Sequence, residues 1–187
     1  MLTHMRTLAC LQLLAWAVIL GGAILGSACS RSADPAQNST LPVAEAPWST
    51  YSGTWFTVEY PSSFKASPSL TSNDSDGYDS VFFKSPDGRA SYYVLSPQWA
   101  RAASDIAFDA THEIEIGNHS QEDGGRRTFT RIIHANDDSY TRELTEHSEQ
   151  DGTVYWVLQF RYADAATRAE HVGGYQRFKA SLQQYSD

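Results

Sequence analysis

The stretch from Arg126 to Tyr162 constrains the fold more than any other part of the chain. Arg126–Ala135, Ser139–Glu149 and Thr153–Tyr162 read as three strands, the last alternating polar and apolar residues, and only Asn136-Asp137-Asp138 and Gln150-Asp151-Gly152 separate them. Alternation sends successive side chains to opposite faces, and short polar linkers make neighbouring strands antiparallel, so the stretch reads as a three-stranded meander. In its last strand Val154, Trp156, Leu158, Phe160 and Tyr162 share one face. Register follows burial. A three-residue loop with Gly152 in the left-handed region sets Leu144 opposite Leu158 and Tyr140 opposite Tyr162, and this pairing is expected. A two-residue loop would set Thr141, Glu143, Thr145 and His147 against the apolar set instead.

So apolar a sheet face needs a cover. After Asp164, a candidate N-cap, Val172, Tyr175, Phe178, Leu182 and Tyr185 recur every three to four residues, the spacing of a helix stripe. Gly173-Gly174 should weaken or kink that helix. Upstream, Thr54–Tyr60 alternates and closes at Pro61. Asp79–Lys84 and Ala90–Leu95 flank the turn sequence Ser85-Pro86-Asp87-Gly88, and His112–Gly117 reads as a short half-exposed strand. A short helix is expected between Pro97 and Phe108.

The N-terminus is of another kind. Arg6 is the only charged residue before Arg31, an apolar run extends from Leu8 to Leu25, and Gly26-Ser27-Ala28 precede Cys29. A basic start, an apolar stretch and small residues are the parts of an export signal. A cysteine at this boundary resembles the lipobox of bacterial lipoproteins, in which the thiol takes a diacylglyceryl group and becomes the new N-terminus. Gly26 stands where the lipobox usually has Leu, with Leu25 one place further out. The same small residues suit plain secretion, and roughly eighteen apolar residues is also the lower edge of a membrane-spanning helix. The organisation expected is a lipoprotein signal peptide over 1–28, a flexible Ser-, Ala- and Pro-rich tether over 29–47, and one domain over 48–187. Ser30 after the cysteine, rather than Asp, points by its resemblance to Gram-negative sorting to the outer membrane.

Composition narrows the function classes. The chain has 14 basic and 22 acidic residues; loss of Arg6 with the leader leaves 13 against 22, a net charge of −9. An acidic domain is a poor ligand for nucleic acid, which needs a basic face. Cys10 and Cys29 are the two cysteines; cleavage removes the first and acylation consumes the second. That leaves no thiol chemistry and no disulfide framework.

Gly53-Thr54-Trp55-Phe56-Thr57-Val58-Glu59-Tyr60-Pro61-Ser62-Ser63-Phe64 is similar to the opening strand of the PsbP-like superfamily, which includes DcrB-like bacterial lipoproteins. The likeness continues in Val154–Tyr162 and in a last helix ending Phe178-Lys179-Ala180-Ser181-Leu182, and covers about residues 48–185. It implies an α+β fold: an antiparallel β-sheet with helices packed on its faces, the C-terminal helix lying over the three-stranded meander. Members share no common catalytic residues, so it also implies a binding or assembly role without naming a partner.

Candidate chemistry is sparse. His112, His119, His134, His147 and His171 include no zinc-binding helix pair. His134 is expected to pair with Thr141 and His147 with Thr128, which sets the two histidines roughly 20 Å apart along the strands, too far for one metal. Ser72-Asn73-Asp74-Ser75-Asp76-Gly77 resembles the opening of a calcium loop, but Ser holds the first position and Phe83 stands where the bidentate Glu belongs. Asp74, Asp76 and Asp79 could gather a cation weakly; a solvated acidic loop is the plainer reading. No G-x-S-x-G elbow and no phosphate-binding glycine loop is present. Arg126, Arg127, Arg131 and Arg142 should pair across strands with Glu143, Glu146 and Glu149. Thr128, Thr130, His147, Tyr155, Gln159 and Arg161 are expected to share the face opposite the apolar one, either solvated or turned to a partner. The expectation is a monomeric lipoprotein of the bacterial envelope, held by acyl chains on Cys29 and facing the periplasm. It acts as a non-enzymatic interaction or assembly module for another envelope protein, with no catalytic, cofactor or metal residues. The alternatives are a small-ligand or cation carrier, or a hydrolase with an unrecognised site.

Overall fold

The computed structural model describes residues 47–149 and 154–185, with the backbone alone at Val154 and Tyr155. The leader 1–28, Cys29, the tether up to residue 46 and the linker Gln150-Asp151-Gly152 lie outside the described residues. The strands are β1 (Trp48–Ser52), β2 (Phe56–Pro61), β3 (Lys65–Pro68), β4 (Ser80–Lys84), β5 (Ala90–Leu95), β6 (Glu113–Asp123), β7 (Arg126–Ala135), β8 (Thr141–Glu149), β9 (Val154–Tyr162) and β10 (Gln183–Gln184). One α-helix, α1 (Ala165–Ala180), stands among the described residues, with a single 3-10 turn at Ser104–Ile106. A seven-stranded antiparallel sheet runs β3-β4-β5-β9-β8-β7-β6, and a small sheet runs β1-β2-β10. The antiparallel α+β class is as the sequence implied.

Local chemistry explains the elements. The Asp164 carboxylate accepts the main-chain N–H of Thr167 at 2.8 Å and caps α1 as expected. In the β4–β5 turn Gly88 takes φ 71° and its N–H reaches the Ser85 carbonyl at 2.9 Å. Helix α1 ends at Ala180, earlier than the stripe to Tyr185 suggests, because the chain then pairs as β10 with β2.

The sheet has two packed faces. Phe83, Tyr92, Val94, Leu158 and Phe160 face α1 and the small sheet, joined by Phe56, Val58, Tyr175 and Phe178. Tyr93, Leu95, Ile133, Leu144 and Val157 form a second cluster on the opposite face with Ile106. The connection 96–112, a strap carrying the 3-10 turn, covers that second face.

Two covered faces overturn the expected β8–β9 register. Thr141, Glu143, Thr145 and His147 stand opposite Tyr162, Phe160, Leu158 and Trp156. The three-residue-loop pairing holds only at Ser148↔Val154, and a bulge at Tyr155 then shifts the ladder by one. Leu144 is buried after all, but on the strap side beside Val157. Hydrophobicity therefore could not choose between registers when either choice buried Leu144. β6 also runs six residues past the expected Gly117, crossing a bulge at Ile116.

Candidate interaction site

The largest buried charge lies under the strap. Arg142 on β8 and Glu113 on β6 are both almost fully buried, with Nη2 to Oε2 at 2.6 Å. Arg142 also donates to the Ile106 carbonyl at 2.7 Å, to Gln159 Oε1 at 3.0 Å and to the Ala107 carbonyl at 3.3 Å. The Tyr140 hydroxyl donates to Glu113 Oε1 at 2.7 Å, and the Asp109 N–H to Oε2 at 3.1 Å. Burial alone would raise the pKa of Glu113; the hydrogen bonds from Arg142, Asp109 and Tyr140 outweigh it and hold it below the ordinary glutamate value. A carboxylate so held stays ionised near neutral pH and is ill suited to accept a substrate proton. The cluster ties β6, β8, β9 and the strap together, beside an open groove of about 330 Å³. Nothing in the spacing of Glu113 and Arg142 signals their pairing.

Two further contacts pin the strap. Asp105 accepts the Tyr93 hydroxyl at 2.7 Å and the Ser80 hydroxyl at 2.9 Å. Arg101 reaches the buried Asp79 carboxylate at 2.8 Å. Asp79 thus has its counter-ion in a guanidinium, and no group of three or more metal-ligating residues exists among the described residues. Beside it lies a cavity of about 30 Å³, lined by Asp74, Asp79, Trp55 and Trp99 among others and large enough for one water.

The histidines lie where the strand pairing sets them. His134 pairs with Thr141 and His147 with Thr128, through side-chain hydrogen bonds of 2.9 and 3.1 Å. The arginines depart from expectation. Arg126 meets Glu149 at 3.3 Å, but Arg131 takes Glu115 at 2.6 Å and Arg142 takes Glu113, both from β6. Glu143 serves Arg168 of α1 at 2.8 Å.

The residues expected to form one polar face are divided. Thr128, Thr130 and His147 lie on the α1 side: the His147 ring stacks on Trp156 at 5.0 Å, and Thr130 meets Thr145 at 3.1 Å opposite Leu158. Gln159 faces the strap with Arg142, and Arg161 covers the Tyr140 ring at 3.9 Å. The Tyr155 side chain lies outside the described residues. Trp156 borders a groove of about 370 Å³ with Gln176, Lys179 and Leu182 at the end of α1.

Exposed large apolar side chains include Trp99, Phe108, Ile114, Ile116, Tyr78 and Tyr185. Phe108 lies under the Arg131 guanidinium, and Ile114 and Ile116 lie on β6, an edge of the seven-stranded sheet. The other three gather around the β1–β2 turn. Thr54 donates its N–H to the Tyr78 carbonyl at 3.4 Å, Tyr185 donates its N–H to the Trp55 carbonyl at 3.0 Å, and Trp99 lines the small cavity with Trp55. No sequence periodicity links Tyr78, Trp99 and Tyr185, which lie between β3 and β4, on the strap and after β10.

No protein-family model matches the chain, and no curated relative matches it. Among solved structures it is similar to PsbP (CyanoP) from Synechocystis sp. PCC 6803, with a TM-score of 0.46 and 12% identity over 80% of this chain and 99% of that one. It is also similar to the Ran-binding protein Mog1p of Saccharomyces cerevisiae, with a TM-score of 0.40 and 9% identity over 75% of this chain and 96% of that one. These likenesses concern the path of the chain and carry no residue role across.

Proposed function

We propose that the protein is a lipid-anchored module of the bacterial envelope that works by binding another envelope protein rather than by catalysis. The anchor is Cys29, placed after Gly26-Ser27-Ala28 and an apolar run; it holds the domain on the periplasmic side, at the outer membrane. The observation that carries the binding role is a contrast. Arg142, Glu113 and Asp79 are buried and engaged in holding the strap, whereas large apolar side chains stand at the surface, Trp99 being 69% exposed. Fixed internal charges suit a scaffold, and exposed aromatic residues suit recognition.

Cell fractionation of Cys29→Ala with chemical crosslinking tests this reading. The variant is expected to leave the membrane fraction, and the wild-type protein to crosslink to a distinct envelope protein. Retention of the variant at the wild-type mature mass, or a purified wild-type protein that turns over a substrate, would refute it.

A further inference from the structure

The exposed aromatic end of the domain combines two properties. Tyr78, Trp99 and Tyr185 are 38, 69 and 45% exposed, and each lies beside Thr54 or Trp55 of the β1–β2 turn. In the same place the loop Ser72–Gly77 carries Asp74 and Asp76, both exposed. Arg101, which lies two residues from Trp99, is engaged with Asp79 and the Thr71 carbonyl. Aromatic faces and carboxylates together attract guanidinium and ammonium groups: the rings offer cation–π contact and the carboxylates offer charge.

We infer that this end is the docking surface for a Lys- or Arg-bearing segment of a partner protein, an inference that rests on the binding role proposed above. Charge excludes the other occupants. A second copy would bring together two mature chains of net charge −9 and juxtapose the same acidic loops. A membrane surface would suit Trp and Tyr, but its anionic headgroups repel Asp74 and Asp76. The tether also joins elsewhere: the Pro47 carbonyl accepts the Ser62 N–H at the far end of the β1–β2 ladder, about 15 Å of strand from the turn.

The test uses the full-length lipoprotein in cells, with a photoreactive phenylalanine analogue at position 99, at position 185, or at control position 121 on the exposed part of β6. Crosslinked segments are identified by mass spectrometry. The expected result is capture at 99 and 185 of a protein segment with excess positive charge, well above capture at 121. In Asp74→Asn with Asp76→Asn, capture should fall by about fivefold at an unchanged thermal midpoint, from the loss of two surface charge contacts. If that variant does not fold, the salt dependence of capture in isolated envelopes decides: capture should fall sharply between about 0.15 and 1 M salt, as the screening length shrinks to about 3 Å. Capture of lipid, of a second copy, of a segment without excess positive charge, equally at position 121, or of nothing would overturn the inference. A partner found by chemical crosslinking but never through 99 or 185 would leave the binding role standing and remove this surface. A protein that crosslinks nowhere would remove both.

Discussion

The Tyr92 hydroxyl donates to the main-chain carbonyl of His171, 2.8 Å away in the middle of α1. The contact passes beside Gly174, where a Cβ would stand 2.8 Å from the same hydroxyl oxygen. The Gly173-Gly174 pair is therefore two different residues in physical terms. Gly174 lets a fully buried tyrosine reach the helix backbone, while a Cβ at Gly173 would meet nothing within 4 Å.

Substituting each glycine separates the two roles. Gly173→Ala should raise stability by about 0.5–1 kcal/mol through helix propensity. Gly174→Ala gains the same propensity but must displace a packed ring, and should lower stability by about 1–3 kcal/mol. Adding Tyr92→Phe should recover part of that loss. Equal stabilisation by both alanines in urea unfolding would show that the close approach imposes no constraint.

The buried Arg142–Glu113 pair should be costly to break from one side. Arg142→Met leaves Glu113 buried without its cation and should cost about 3–5 kcal/mol, with Arg142→Met/Glu113→Met costing less than the sum of the single changes. Glu113 titrates below its ordinary value in the folded state. Its contribution is thus present above the unfolded glutamate value, near 4.5, and is lost as pH falls through the lower folded value. The pH dependence of stability should be steeper in wild type than in the double variant below about pH 4.5; parallel profiles would count against it.

Tyr175 presents the opposite case. Its ring is buried in the α1 core, and its hydroxyl has no partner among the described residues. Burial pushes its titration far above the ordinary tyrosine range, so it stays neutral. Tyr175→Phe should be neutral or stabilising by up to about 1 kcal/mol, since it removes an unsatisfied buried group. A clear loss in denaturant midpoint would reveal a bond that the hydroxyl makes.

Trp156 and His147 form a stacked pair whose planes differ by 7°. Because Trp156 is half-buried at the rim of a groove, Trp156→Ala should cost about 2–3 kcal/mol, less than a fully enclosed tryptophan. Burial, and then the nearby Arg126 charge, holds His147 below the ordinary histidine value. In wild type its imidazole proton shifts should titrate below 6.5, and in Trp156→Ala the midpoint should move back up. An unmoved midpoint would mean that Trp156 does not desolvate the ring.

The strand and cap signals show how far local pattern reaches. Arg126–Ala135 and Ala90–Leu95 form the strands their residues announce, and Asp164 caps the helix it precedes. Strands β1, β3 and β10 were not legible, because their five, four and two residues are too few to show a clear pattern, and β10 joins β2 across more than 120 positions. The strap's anchors and the aromatic end were hidden for the same reason. Arg142 looked like one more surface arginine, and Trp99 and Tyr185 belong to unrelated connections.

By itself the sequence determined the strand periodicity, the turn chemistry, the acidic surface and the expectation of an anchor at Cys29, each of which depends on residues a few positions apart. The tertiary structure decided register, faces and partners. Leu144 could be buried in either register, so alternation could not choose, and the β9 bulge with its two covered faces did. Arg142 became a structural ion pair only when β6, β8 and the strap closed over it, because the energy of a buried charge depends on what lies within a few ångströms in space rather than on its neighbours in the chain.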